Sequence, residues 1–489
     1  MMSRHHGTFK KLNIPGPAPW PIIGSLIEIN TGGFQKFQMD CMRKYGKVYG
    51  FYGGLSPMTI EIGDKEMLRI ILVKEFANFT DRIVFKGFNG DVDTGINNLS
   101  GDHWRHVRSK ITPAFSTGKL RKMAPLIDHA SDTLVESLMR NVKGGNDVIE
   151  MMEVYGGYTM DVICSTAFGI QIDSQNNPND EFVTNARKFL NLKLASPLIL
   201  VLIFLPKLHF LMPLMGWSFL DKDIQAFFRR VTTTLLAARI AGDKSRVDFL
   251  QLMKNAQYEK EDSDEEDDNE YISVKKPSTS WSRKGITFDE ILGNAETFFF
   301  AGYETTTITL SMASYYLAMY PEYQDKLRQE LLDKIGSKTM TYDNIRDVEY
   351  LEMVINETLR ISPPATRTDR VCLKDTEVNG IKIPAGMNIS VPIYGIHHDP
   401  DNWRDPEKFI PERFAEKDSY DPMTFLPFGY GPRICIGMRL VQMELKLSLA
   451  KVIRNFRISI SSETQIPPEM MKLGLLKPKT VKLKLEEIK

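Results

Sequence analysis

The sequence predicts a mainly α fold with a small β region, on three observations. Apolar residues recur with the helical period over 119–140, 181–194 and 221–241. A longer stretch, 288–317, is apolar on most faces ("ILGNAETFFFAG"). It is preceded by Thr287 with Glu290 three residues on, the pattern of a capping box. Strand signals cluster late. "EVNGIKIP", 377–384, sets an Asn-Gly turn between β-branched residues, and "MNISVPIYGIHHDP" continues in extended style to Pro400.

In chain order, residues 1–24 form a basic, proline-rich lead-in. Its "IPGPAPWPIIG" segment suits a stiff extended path, because each proline fixes φ and removes a donor. Residues 25–489 read as a single domain, with 42% hydrophobic residues to fill one large core. The apolar stretch 197–217 is broken by Pro206, Lys207, His209 and Pro213, so it is not a spanning helix. It is either a buried helix and loop or a greasy surface that dips into a bilayer. The run "EKEDSDEEDDNE", 259–270, has no apolar anchor and marks an acidic, solvated linker at about 256–280. The helix that follows is long enough to run through the core.

Lys plus Arg number 62 and so do Asp plus Glu, so no global field argues for nucleic acid. No GxGxxG follows a strand and opens a helix, so nicotinamide is not expected to bind this chain directly. Cys41, Cys164, Cys372 and Cys435 are too few and too scattered for a disulfide framework, which points to a reducing compartment. The first three read as small, inert hydrophobes.

Cys435 differs. It stands in "FLPFGYGPRICIG", 425–437, where Gly429 and Gly431 open unusual φ values and Pro432 stiffens the loop. A helix begins just after Gly437, so its N–H groups and dipole favour a thiolate, and Arg433 adds a cation. Such a sulfur is either a redox nucleophile or an axial metal ligand.

Phe428-x-x-Gly431-x-Arg433-x-Cys435-x-Gly437 resembles the haem-binding signature of the cytochrome P-450 family. The resemblance runs from about Phe9 to the C-terminus and is nearest the vertebrate-type microsomal branch that oxidises steroids and drugs. It implies the family fold: a long central helix over haem, with the cysteine loop on the opposite face. Cys435 would give its thiolate to the iron of haem b (iron protoporphyrin IX), Phe428 and Gly437 would pack by it, and Arg433 would meet a propionate. Further haem contacts implied are Arg82, Trp104, Arg108, Ala301 and Arg370.

In "AGYETT", Thr305 can turn its hydroxyl back to the Ala301 carbonyl and loosen the helix, while Gly302 removes bulk where a ligand approaches. The resemblance makes Thr305 and Glu304 the catalytic pair that delivers protons. "ETLR" puts Glu357 and Arg360 at i, i+3, and "PERF" supplies Arg413, together like the family's architectural Glu-Arg-Arg network. Carried-over substrate residues are Phe85, Phe88, Asn97, Pro364, Ala365 and Leu475, besides Ala301 and Thr305; the mainly apolar set suits oily substrates.

The implied function is a monooxygenase that takes electrons from NADPH through NADPH–cytochrome P-450 reductase. It would insert one atom of O₂ into steroids, fatty acids or xenobiotics. Cytochrome b5 and a membrane surface are further implied partners, on the cytoplasmic face of the endoplasmic reticulum, with the family's anchor helix missing from this sequence. Arg105, Lys110, Lys119, Arg121, Lys122, Arg439 and Lys446 would offer a basic face to an acidic reductase. Two alternatives stay open: an endoperoxide isomerase, which the intact Glu304-Thr305 pair disfavours, and a haem carrier or sensor without turnover.

Overall fold

The computed structural model describes residues 6–53, 58–84, 90–177, 179–190, 221–240, 248–257, 285–416, 419–472 and 474–488. The stretch 197–217, most of the acidic linker, Phe85 and Phe88 lie outside the described residues.

The long helix, Phe288–Met319, starts as its sequence predicts. The Glu290 N–H donates to Thr287 Oγ1 (3.2 Å), and the Thr287 N–H donates to Glu290 Oε2 (2.6 Å). It ends at Tyr320, which leaves the helical region (φ −128, ψ 77) that a following proline disfavours, and Pro321 opens the next helix. Its 32 residues give a rod of about 48 Å, most of it buried. Helices Met151–Ile163, Glu349–Ile361 and Met438–Asn455 pack on it. Two buried hydrogen bonds pin it sideways, Thr159 Oγ1 to Thr307 Oγ1 and Tyr155 OH to Ser314 Oγ, both 2.8 Å. The other periodic stretches form Thr117–Lys143, Glu181–Leu190 and Lys222–Ile240.

The Asn-Gly turn is present: Thr376–Val378 pairs antiparallel with Ile381–Ile383, and Asn379 (φ 49) and Gly380 (φ 79) take the two positive φ values of the tight turn. The extended reading of 387–400 holds only for Asn388–Val391. Pro392 cannot donate to a ladder, and a short helix, Ile393–His397, follows it. Strands are also not confined to the late chain. In the four-stranded sheet the order is Val48–Tyr52, Met58–Ile62, Asn388–Val391, Thr368–Val371, with Ile60 opposite Ile389 in the parallel pair. A three-stranded sheet joins Val148–Glu150, Lys482–Glu487 and Phe456–Ser459.

Among the described residues three apolar cores result, one of them a small cluster of Phe34, Phe37 and Phe51 with Ile29, Cys41 and Tyr49. The largest surrounds the long helix and includes Leu440 and Met443; the second lies under the four-stranded sheet and includes Leu426. Each fully buried Leu or Ile contributes about 1.5–3 kcal/mol, so both ends of the 426–440 stretch are anchored independently. Cys435 sits between those anchors.

Candidate active site

Cys435 faces the interior. Its N–H donates to the Phe428 carbonyl (2.9 Å), closing the loop, and Gly429 (φ 74) and Gly431 (φ 73) hold the left-handed conformations the loop needs. A Cβ on Gly431 would lie 2.1 Å from the Leu72 carbonyl oxygen, so the position admits no side chain. Burial pushes the Cys435 thiol up, while the N–H groups of Gly437 and Met438 and the guanidiniums of Arg108 and Arg82 pull it down. Cys41, Cys164 and Cys372 are buried, and burial raises all of their thiols. Cys435 is exposed, yet the space it faces is a cavity of about 320 Å³ inside the molecule.

The long helix forms the opposing wall. Ala301, Gly302, Thr305 and Thr309 line the cavity, and from Glu290 to Ala318 only Ala301 is exposed. The Thr305 hydroxyl donates to the Ala301 carbonyl (2.8 Å), and that of Thr309 to the Thr305 carbonyl (2.8 Å). The expected loosening does not break the helix, which is α throughout. Gly302 answers to packing as well: a Cβ there would lie 2.0 Å from Ile163 Cδ1.

Glu304 corrects the expectation of an acid and an alcohol in one groove. Neighbours on a helix diverge by about 100°. Glu304 turns into a second, polar cavity of about 790 Å³, which Tyr303, Thr307, Arg187, Glu150 and Lys477 also line. There its Oε1 is 2.7 Å from Lys477 Nζ.

At one edge of the first cavity lies a group of guanidiniums. Arg82, Arg108 and Arg433 line it and Arg370 is buried beside them; the charge of Arg82 lowers the other three, and among the described residues none of the four has an ion pair. Burial first, then neighbouring cations, bring Arg370 down to about 9 and Arg433 to about 8; burial brings Arg108 to about 10. Arg433 spends three donors on the carbonyls of Thr80, Ile96 and Leu99 and stacks on Trp104, 4.0 Å from its ring centroid. Arg108 Nη2 donates to the Ile434 carbonyl, 2.9 Å away. Among the described residues the Nε–H groups of Arg82, Arg108 and Arg370 have no partner.

Of the carried-over substrate residues, Asn97, Pro364 and Ala365 line the first cavity. Leu475 does not. Its neighbour Leu476 bonds the Pro364 carbonyl (2.8 Å), and that pairing spends the segment on holding the wall from behind. Sequence reasoning missed Phe115, Phe249 and Phe298, a contiguous aromatic group in the wall with centroids 4.2 to 5.8 Å apart, and two ionisable residues, Arg367 and Glu444. Burial pushes the Glu444 carboxyl up to about 8. Helical apolar spacing was the available signal for the phenylalanines, but it does not separate cavity from core.

Behind the cysteine loop, Arg360 donates to Glu357 through Nε (2.7 Å) and Nη2 (2.9 Å), and Arg413 Nε reaches Glu357 Oε1 at 3.2 Å. Arg360 Nη1 also donates to the His397 carbonyl (2.8 Å). The His397 ring places Nδ1 3.1 Å from the Arg360 carbonyl and accepts the Leu426 N–H at Nε2 (2.8 Å). Burial and nearby cations keep that imidazole neutral, as its acceptor role requires. The network thus ends on the backbone at the root of the cysteine loop.

Of the basic residues assigned to a docking face, Arg105 pairs with Asp102, Arg121 with Asp343 and Lys446 with Glu352. Among the described residues no helix is long and apolar enough to cross a membrane.

The residues fit a haem. A dianion beside Arg82 and Arg108, both in the cavity wall, would answer Nε–H donors that have no acceptor among the described residues. Gly429 and Gly437, both in the cavity wall, have no atom within 4 Å of where a Cβ would stand, which leaves a flat bed beside the sulfur. A cysteine before a helix N-terminus, open only to an internal cavity and facing a long helix across it beside a group of arginines, defines a haem-thiolate protein. A sequence model of that class, cytochrome P450, matches residues 14–485, and the chain belongs to the cytochrome P450 family. It is 41% identical to cytochrome P450 3A41 of Mus musculus over 481 residues, 97% of this chain and 91% of the mouse protein. It is 40% identical to cytochrome P450 3A5 of Homo sapiens over 489 residues (99% and 93%) and to cytochrome P450 3A2 of Rattus norvegicus over 481 (97% and 91%). The chain is therefore a haem monooxygenase, an oxidoreductase that draws on NADPH through a reductase.

Proposed function

We propose that this monooxygenase oxidises lipophilic substrates of the steroid, fatty-acid and xenobiotic kind, with Cys435 as axial ligand. When bound, a haem held by one thiolate supplies the activation of O₂. The chain does the rest. Arg82, Trp104, Arg108, Arg370 and Arg433 would hold the propionates, and Ala301, Phe428 and Gly437 would bound the ring. Thr305 holds a proton-bearing water at its Oγ1, and Glu304 supplies protons from the polar cavity behind it. Asn97, Pro364, Ala365 and the phenylalanines exclude water from the substrate side. Glu357, Arg360 and Arg413 keep the cysteine loop in position.

The observation that carries this reading is that Cys435 and the Ala301–Thr305 turn line one cavity from opposite elements. The basic residues of that face, Arg105, Lys110, Lys119, Arg121, Lys122, Arg439 and Lys446, suit an acidic reductase and, with it, cytochrome b5. Residence on the cytoplasmic face of the endoplasmic reticulum, against its membrane surface, completes the proposal. The test is reconstitution with reductase and NADPH against a panel of steroids, fatty acids and drugs. Substrate-stimulated NADPH oxidation with hydroxylated product is expected. Iron that no substrate renders reducible would overturn it.

A further inference from the structure

Arg367 lines the same cavity as Cys435 and Thr305, three residues before the propionate arginine Arg370. Its guanidinium carbon lies 3.9 Å from the Phe34 ring centroid. Among the described residues it has neither a hydrogen bond nor an ion pair. Two carboxylates act on it, Glu61 and Asp369, and neither comes within the 4.0 Å of an ion pair; Glu61 Oε2 has no hydrogen-bond partner among the described residues. Asp369 Oδ2 accepts the Ile83 N–H (2.7 Å), and Glu61 Oε1 accepts from Gln38 and, at 3.4 Å, from Ser390. Burial pushes Glu61 up to about 7, so its charge is only partly present at neutrality. Burial also lowers the pKa of Arg367, although its side chain is exposed, because the space it faces is walled by protein.

A guanidinium presents five N–H donors, and leaving them desolvated and unanswered is costly. One ring face under Phe34 answers none of them along the donor directions. Among the described residues, none of the acceptors that line the cavity, Asn97, Thr305, Thr309, Thr368 and Glu444 included, hydrogen-bonds it. What completes Arg367 is an anion that arrives with an apolar body.

We propose that Arg367 is a substrate-binding residue that receives the carboxylate of an amphiphilic acid whose hydrocarbon part occupies the cavity. The inference rests on the monooxygenase reading and narrows its substrate class. Carboxylate and guanidinium match as a bidentate pair, and a charge-assisted pair out of bulk water favours the acid over its neutral ester by roughly tenfold.

The experiment titrates the haem-loaded full chain with dodecanoate and with methyl dodecanoate, read by calorimetry and by the haem difference spectrum. Wild type should bind the acid roughly tenfold more tightly. Arg367→Leu should lose that preference while keeping its affinity for the ester, and Arg367→Lys should keep part of it. Arg367→Gln, which retains the stack on Phe34, carries the same comparison if the leucine variant fails to fold. Equal affinities in wild type, a preference that survives in Arg367→Leu, or no binding of dodecanoate at all would overturn the assignment. Ester binding and the thiolate-type CO spectrum report on the monooxygenase reading separately. Their loss in wild type sinks that reading, whereas their persistence with an unchanged preference sinks Arg367 alone.

Discussion

Glu304 Oε1 and Lys477 Nζ are 2.7 Å apart, across 173 residues of chain, on the face of the long helix turned away from Cys435. The pair restrains the one carboxylate adjacent to Thr305. Lys477→Ala should free it and raise NADPH-driven product formation by roughly threefold, the scale of a partly exposed ion pair. Glu304→Gln should lower it about tenfold. Steady-state turnover of both variants is the measurement, and a slower Lys477→Ala enzyme would argue against the relay.

Thr305→Ala removes the hydroxyl bonded to the Ala301 carbonyl without touching the cysteine loop. Haem should remain bound with its thiolate spectrum. The ratio of product to NADPH consumed should fall about tenfold, the electrons leaving as peroxide and water. Unchanged coupling would remove Thr305 from its assigned role.

Cys435→Ala leaves the arginine group intact and removes the sulfur. The variant should still take up haem through the guanidiniums, at reduced affinity, and should lose the reduced-CO band of a thiolate ligand. Retention of that band would mean another ligand holds the iron.

Glu357 is fully buried and accepts from Arg360, Arg413 and the Ile410 N–H (2.8 Å). Glu357→Ala leaves Arg360 charged, buried and unpaired, a loss of about 3–5 kcal/mol. Arg413→Ala should cost less, because its side chain is partly exposed and Glu357 keeps its other donors. Urea unfolding followed by tryptophan fluorescence, with haem release measured in parallel, tests both.

Glu61 sets a pH dependence. Its carboxyl is raised by burial from 4.5 to about 7 in the folded chain, so the folded state holds a proton that the unfolded state has released. Stability from this group is complete below about pH 4.5 and falls as pH rises toward 7, by roughly 3 kcal/mol in all. His397 and His398, whose pKa values are lowered by burial, act oppositely and stabilise the native state as pH rises toward 6.5. The difference between wild type and Glu61→Gln isolates the carboxyl. The glutamine variant should gain relative stability from pH 5 to pH 7.5 in urea titrations, and a constant difference would refute the assignment.

Much of this molecule was legible because its determinants are local. Thr287 and Glu290 are one helical turn apart, Asn379 and Gly380 are adjacent, and Glu357 and Arg360 share a helix face. Each makes its contact as soon as its own segment folds. The cysteine loop belongs to this class too, since its glycines, its proline and the helix behind Cys435 lie within a few residues of the sulfur. What escaped the sequence depends on which distant partner arrives: the early strands beside Asn388–Val391, Lys477 at Glu304, Leu475 packed against the core and not in the cavity wall.

The chain alone therefore specified the loop that presents Cys435 and the long helix that faces it, because backbone dihedrals, caps and short-range hydrogen bonds are properties of a few consecutive residues. Only the tertiary structure decided where charge is left unanswered. Arg82, Arg108, Arg370, Arg433 and Arg367 are ordinary surface candidates as letters. Burial beside one another, or beside an apolar cavity, turns them into sites that demand an anion, since the cost of desolvating a charge is set by everything packed around it.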